Sequence, residues 1–540
     1  MKYSIYLIFI ALFLFSCTHR NVDSGKSIFR YNESAGIISL DPAFARDQAG
    51  IWACNQIFNG LVQLDDTLAI QPCIARSWEI SNDGKIYIFH LRNDIQFHKN
   101  KCFKNNIRKV TAHDFVYSFS RIIDPEISSP GAWVFNEIDS VEPFKALNDT
   151  TLEVKLKRSF PPFLGLLTMQ YCSVIPHEAL DLYKDNFRRN PVGTGPFYFK
   201  YWKEGVKLVL LRNPYYFEGD KTGRYPFLDV VSVTFLSDKQ TAFLEFVKGN
   251  LDFISGLDAS YKDELLTRDG KLQSKYESEI NLITQPYLNT EYLGFMVDTV
   301  KLKSGNPLRL QKLRQAINYG FDRVKMMRYL RNNIGTPGIF GMIPMGLPGF
   351  DSTKMKGYFY DIQKAQKLLA EAGFPNGKGL PEITLSTTSS YLDLCKYIQQ
   401  QLIEIGIPIK VDVAPPGSLR EMMAQCKIPF FRGSWIADYP DAENYLSLFY
   451  SKNHSPEGPN YTHFTSPEFD RLYEKSMTET VDSLRFKMYQ QMDNLIMEQA
   501  PVVVLYYDQI LRFTQKNIQG LGSNPMNLLV LKKVKKGKQN

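Results

Sequence analysis

Much is missing from this chain. After the first 17 residues no apolar run is long enough to span a bilayer as a helix. There is no GxSxG elbow and no HExxH helix, so two widespread hydrolase signatures are absent. The GxxxxGK[ST] spacing is absent too, and PVGTGPFYFKYW at 191–202 reads as a backbone turn, not a phosphate loop. None of the seven cysteines stands in a CxxC pair, and His454 and His463 have no i, i+4 partner, so no metal site is expected. The one basic cluster, KKVKKGK at 532–538, reads as a solvated chain end. Nothing resembles a basic, aromatic-studded nucleic-acid module. No solenoid period and no low-complexity linker occur, so domains are expected to interleave and not to hang on tethers. No cofactor and no catalysis are expected.

What is there begins with Met1 and Lys2, an uncharged apolar run at 3–15, and LFSC ending in Cys17. A run of about a dozen apolar residues suits a secretory signal. The Leu-x-small-Cys pattern resembles a bacterial lipobox, in which the cysteine is lipidated and becomes the mature N-terminus. An ordinary signal peptide cut elsewhere is the alternative. The expected location is the cell envelope, lipid-anchored to the membrane and facing the periplasm or the outside. Six cysteines remain and allow fifteen pairings, among which sequence cannot choose.

The length allows about three ordinary domains, and a 44% hydrophobic content is that of a globular protein. IWACNQIFNGLV predicts a helix with Ile51, Cys54, Ile57, Phe58 and Leu61 on one face and Gly60 as a positive-φ stop. Asn82-Asp83-Gly84 before KIYIFHL predicts a hairpin. In TAHDFVYSFSRIIDP, Thr111 is the expected N-cap and Asp114 its partner at N3. DIQKAQKLLAEAGFP predicts a helix capped by Asp361, with its buried stripe on Ile362, Ala365, Leu368, Leu369 and Ala372 and its stop at Gly373. EITLS, YLDLCKYIQQQLIEIG and IPIKVDV then read as strand, helix and strand, a βαβ unit with parallel strands.

Several stretches together resemble one family, the extracytoplasmic solute-binding proteins of bacterial ABC importers, peptide/nickel type. They include LDPAFARDQAGIWACNQIFNGLV, VTAHDFVYSFSRIIDP, VGTGPFYFKYW, LRNPYYFEG, FVKGNLDFI, LRQAINYGFDR, YFYDIQKAQKLLAEAGFPNG and WIADYPDAENYLSLFYS. The resemblance implies an α/β, two-lobed periplasmic-binding-protein-like fold with an extra inserted domain and a hinge between lobes. The implied division is a signal peptide at 1–17 and a tether at 18–27. Domain I comprises 28–65, 191–290 and 508–540, domain II is an insertion at 66–190, and domain III spans 291–507. It also implies a monomer that captures a short peptide between the lobes and delivers it to ABC permease subunits.

The stretch RGSWIADYPDAENYLSLFY, 432–450, carries the candidate site. In the family's W-x-x-D pattern the residue that takes a peptide α-ammonium group falls on Asp438. The backbone from Gly433 to Ala437 is expected to pair with the ligand, with Trp435 and Tyr439 giving contact. Arg432 matches a position that meets a ligand carboxylate; it is equally a surface residue or a salt-bridge partner of Asp438, and Trp435 is equally core. A histidine anchor of the oligopeptide branch falls near Ser390, which is not basic. Asp441, with Asn444 three residues on, is expected to cap the following helix. Asp438 and Asp441 stand too close along one turn to flank a glycosidic bond from opposite sides. Two other ligand classes stay open on the same fold, an oligosaccharide and a nickel chelate or haem.

Overall fold

The computed structural model describes residues 25–538 except 257 and 259. The signal run and Cys17 lie outside the described residues. A single mixed sheet organises the molecule. From one edge its strands are Ile409–Val413, Ile383–Thr387, Phe430–Ile436, Ile280–Phe295, Val502–Gln515, Phe253–Ser255, Ile28–Asn32, Val230–Thr234, Lys207–Arg212 and Phe197–Lys203. Thr336–Pro337 adds a short pairing to Val502–Gln515. Four further strands, Ala75–Ile80, Ile86–Leu91, Phe144–Asn148 and Thr151–Lys155, form a separate antiparallel sheet.

Two long strands join the halves. Ile280–Phe295 has 16 residues and Val502–Gln515 has 14, and they run antiparallel. Their register holds from Ile280↔Gln515 to Pro286↔Gln509, slips, and resumes at Thr290↔Tyr507. Before the slip the pair borders Phe253–Ser255. After it the pair borders Phe430–Ile436. Burial does not follow the same division. Leu293, Phe295, Ile317, Ile398, Leu402 and Phe430 belong to one buried cluster, while a larger one holds Phe29, Trp52, Phe119 and Phe197 together with Phe431, Tyr445, Tyr489 and Val504. The larger core therefore runs through both halves, along the long strands.

The local signals are realised for identifiable reasons. The helix Ala112–Ile123 starts where the Thr111 N–H donates to the Asp114 carboxylate at 2.8 Å. The helix Ile362–Glu371 starts where Asp361 accepts the Lys364 N–H at 2.9 Å, and Gly373 beyond its end takes φ +95°. Ile383–Thr387 and Ile409–Val413 pair in parallel, with the helix Leu392–Glu404 between them in the chain. Asp83-Gly84 turns the hairpin, with Gly84 at φ +69°.

Two glycine expectations are corrected. The helix Gln48–Ile57 ends before Leu61, and Gly60 does not take a positive φ. Gly193 and Gly195 are required by close approach instead of turn angle. A β-carbon at Gly193 would stand 2.1 Å from the Ile57 carbonyl oxygen, and one at Gly195 would stand 2.4 Å from the Ile57 carbonyl carbon. The PVGTG stretch thus seals the C-terminal end of that helix: the Gly195 N–H donates to the Ile57 carbonyl at 2.8 Å. His98 is held in the same joint, its Nε2 2.9 Å from the Gly195 carbonyl, and burial lowers its pKa to about 4.

Candidate functional site

Phe430–Ile436 is the strand that places the candidate residues. One edge is fully engaged, from Asn289↔Ile436 to Phe295↔Phe430. The other edge meets Ile383–Thr387 only at Ser386↔Phe431. Beyond Phe431 no strand among the described residues covers it. The stretch 432–436 therefore offers unclaimed backbone donors and acceptors along one side, the condition under which an extended ligand can add as a strand.

Asp438 lies just past this strand. Asn444 organises the turn, its Oδ1 accepting the Trp435 Nε1–H at 2.9 Å and the Asp438 backbone N–H at 3.2 Å. The Asn444 amide also approaches the Asp438 carboxylate, at 3.5 Å. Among the described residues no cation pairs with that carboxylate. Asp438 is exposed to water, yet its pKa is raised, because surrounding protein displaces bulk solvent; the Asn444 contact acts in the opposite direction. Open to water but ringed by protein, it has the setting of a cleft wall. Tyr171, from a different part of the chain, stands close enough to feel that charge. Its hydroxyl is pushed up to about 12 by burial and then by Asp438.

Asp441 is excluded from ligand duty. Its Oδ1 accepts the Glu443 N–H at 2.9 Å, and Arg485 Nη1 lies 3.2 Å from its Oδ2. The helix that follows is one turn, Glu443–Leu446. The capping role expected of Asp441 is not realised: Ala442 is the N-cap, no side chain caps the helix, and the Asp441 carboxylate instead closes a turn onto Glu443.

Arg432 does not pair with Asp438. Its Nη2 is bound to Glu291 Oε2, both side chains being almost wholly buried, and its guanidinium covers the Tyr391 ring at 3.2 Å. Burial raises the Glu291 pKa and Arg432 opposes that rise. The network continues through Asn289 Nδ2, 3.1 Å from Glu291 and 3.4 Å from Asp508, to Arg331, 2.9 Å from Asp508. Tyr439 is also turned inward. It is buried, with its hydroxyl on Glu443 and its ring 6.2 Å from that of Trp133. Gly433 stands against Tyr292, where a β-carbon would meet the ring at 2.7 Å. The structure thus brings Trp435 and Asp438 together around Asn444. It sets Arg432 and Tyr439 behind them in bonds of their own.

Asn444 and Glu291 are the residues that sequence reasoning missed in these roles. Asn444 was visible only as a helix companion of Asp441. Glu291 carried one signal, a lone acid in the apolar run TEYLGF, where an unpaired charge is costly to bury.

The sequence signature of bacterial extracellular solute-binding proteins, family 5 Middle, matches residues 69–457. The chain belongs to that family. Full-length relatives agree. The Dipeptide-binding protein of Escherichia coli is 24% identical over 87% of this chain and 87% of its own. The Oligopeptide-binding protein OppA of Bacillus subtilis is 25% identical over 92% and 90%. Heme-binding protein A of Haemophilus influenzae is 26% identical over 88% and 86%. Among solved structures, HbpA2 of Haemophilus parasuis superposes with a TM-score of 0.82 at 23% identity, covering 95% of this chain and all of that one. DppA of Helicobacter pylori, in complex with the peptide STSA, superposes with a TM-score of 0.74 at 26% identity, covering 96% and 99%. This family 5 protein therefore has the α/β, multi-domain fold of periplasmic binding proteins, and its family binds solutes instead of transforming them. No helix of the described residues is long and apolar enough to cross a membrane.

Proposed function

We propose that this chain is the solute receptor of an ABC importer and captures short peptides in the cleft walled by 432–450. The observation that carries the proposal is Asp438, an accessible, raised-pKa carboxylate without a cation at the end of an uncovered strand edge. An extended peptide needs both features at once. Its backbone pairs with the edge, and its α-ammonium group meets a carboxylate that no protein cation has claimed. Trp435 gives contact that tolerates different side chains. Arg432 tunes this wall through Glu291 and turns to a ligand carboxylate only if that pair opens. Relatives named for dipeptides and oligopeptides support the reading.

The domain division is proposed as domain I at 28–65, 191–290 and 508–540, domain II at 66–190 and domain III at 291–507. The separate antiparallel sheet within 75–155 and the distinct core around Ile317, Ile398 and Leu402 favour domains II and III. The receptor acts as a monomer, is tethered to the membrane through Cys17, and hands its ligand to permease subunits. The test is mass spectrometry of the ligand that co-purifies and is released on denaturation. Short peptides are expected. A released haem, nickel chelate or oligosaccharide would replace the peptide reading with the class recovered.

A further inference from the structure

At the end of Phe430–Ile436 away from Asp438, four reactive side chains meet. Cys426 precedes this strand and Asp438 follows it, so about 20 Å of extended chain separates the two sites. Cys426 Sγ lies 3.0 Å from His463 Nε2. On the other side of the ring, His463 Nδ1 faces Asp298 Oδ2 at 3.7 Å. His454 stacks on His463 with ring centroids 4.4 Å apart. A thiol, an imidazole and a carboxylate from three separate parts of the chain thus stand in line.

Three observations separate this cluster from an incidental core histidine. The His463 side chain is 3% exposed and its Nδ1 has no hydrogen-bond partner. A proton on Nε2 leaves a bare Nδ1 towards the Asp298 carboxylate. A proton on Nδ1 turns that N–H towards Asp298 and leaves the Nε2 lone pair to accept from the Cys426 thiol at 3.0 Å or the Ser455 hydroxyl at 3.1 Å. Burial, then His454 and Lys301, lower the His463 pKa, while the Ser455 carbonyl and Asp298 oppose that shift. Second, Cys426 and His463 both hold left-handed backbone, at φ +57° and +52°, a conformation that non-glycine residues keep at a cost and that clusters at functional sites. Third, Cys54, Cys73, Cys172 and Cys395 are buried, leaving Cys102 and Cys426 as the partly accessible thiols among the described residues. Burial and then Glu178 push Cys102 up to about 11.

We propose that Cys426 is a thiol-exchange site that takes up low-molecular-weight disulfides, with His463 as its proton acceptor and Asp298 as a positioning residue. The thiol proton passes from Sγ to His463 Nε2. The thiolate attacks one sulfur of the small disulfide, a new S–S bond forms to Cys426, and the old S–S bond breaks. The leaving thiolate collects the proton from His463 and departs as a thiol, so one disulfide is exchanged for another. Small disulfides persist outside the cytoplasm, where the family works. The site stands apart from the peptide cleft, so neither reading depends on the other.

The test incubates the full-length protein with oxidised glutathione over a pH series and follows the adducts at Cys426 and Cys102 by peptide mass mapping. At neutral pH the Cys426 adduct is expected to form about tenfold or more faster than that at Cys102. His463→Gln is expected to slow Cys426 about tenfold at neutral pH and to leave the rate unchanged in alkali, where the thiolate forms unaided. Asp298→Asn is expected to slow Cys426 at neutral pH but not in alkali, a pH-selective loss that a purely structural role would not give. Equal rates at the two cysteines at neutral pH overturn the proposal. That comparison needs only the wild type, so it decides the matter even if His463→Gln does not fold.

Discussion

At the scale of single residues, the site turns on which charges are already spoken for. Arg432, Asp441 and Glu443 have partners inside the protein, whereas among the described residues the Asp438 carboxylate meets no cation, only the Asn444 amide at 3.5 Å. The W-x-x-D pattern made Asp438 legible in the sequence, because Trp435 and Asp438 are local to each other. The commitment of Arg432 was not legible, since Glu291 lies 141 residues away and meets it only through strand pairing. The corresponding prediction concerns Asp438→Asn, which keeps the shape and removes the charge. Binding of a free peptide is expected to weaken by roughly 2–5 kcal/mol, the penalty for truncating one partner of a desolvated charge pair. An N-acetylated version of the same peptide is expected to bind the wild type poorly and to be much less affected by the substitution. Calorimetry on both proteins with both peptides measures the coupling. Equal affinity of the free peptide for wild type and variant would show that the ammonium group is held elsewhere.

At the scale of elements, helix caps and the hairpin turn were legible because each is written within about a dozen residues, and the βαβ unit because each of its three consecutive elements is. Asp361, Gly373 and the pair Asp83-Gly84 each settle a local backbone choice. The two glycines of PVGTG were legible as special but not for the right reason. Their constraint comes from Ile57, far back in the chain, and no local rule shows it. Gly193→Ala is therefore expected to destabilise by about 1–3 kcal/mol, the usual cost of overpacking. The obstacle is a backbone oxygen at 2.1 Å, which cannot swing aside. Gly417 lies near the start of the helix Pro416–Ala424, with nothing within 4 Å of its added β-carbon and no positive φ. Gly417→Ala is expected to stabilise by about 0.4–1 kcal/mol through lost freedom of the unfolded chain. Urea denaturation of the two variants should move the midpoint in opposite directions, and movement in one direction for both would refute the packing account.

At the scale of the whole molecule, buried carboxylates couple stability to pH. Burial pushes Glu33, Glu443 and Asp493 each up to about 7. In the unfolded chain these groups titrate near 4, so between about 4 and 7 the folded state holds more protons than the unfolded one. Their contribution to stability is therefore greatest in acid and falls as pH rises through the folded value. His98, lowered to about 4, and His463, also lowered, work the other way below about 6.5. The net rise on mild acidification is thus partial, and a variant isolates one share. Glu443 accepts the hydroxyls of Tyr439 and Tyr473 behind the candidate cleft wall, and Glu443→Gln keeps an acceptor there while removing the titration. The gain in urea midpoint between about pH 8 and about pH 5.5 is expected to be smaller in Glu443→Gln than in wild type. An identical gain would mean that Glu443 does not titrate in this range.

The same scale decides how a ligand is enclosed. The strands 280–295 and 502–515 cross between the halves with a slip in register between Pro286 and Thr290. A slip interrupts the ladder of hydrogen bonds, so bending there disturbs fewer bonds than bending elsewhere along the pair. A ligand that touches both walls favours the closed arrangement by the difference between its two-walled and one-walled contacts. In the proposed cleft Asp438 supplies one wall, and Tyr171, near enough to feel its charge, comes from a distant part of the chain. Small-angle scattering is accordingly expected to show a smaller radius of gyration with saturating co-purified ligand than without it. Asp438→Asn, at ligand concentrations that saturate the wild type but not the variant, should leave a profile between the two. A radius that does not change for the wild type at saturation would mean that the halves are fixed and that the register slip is not a hinge.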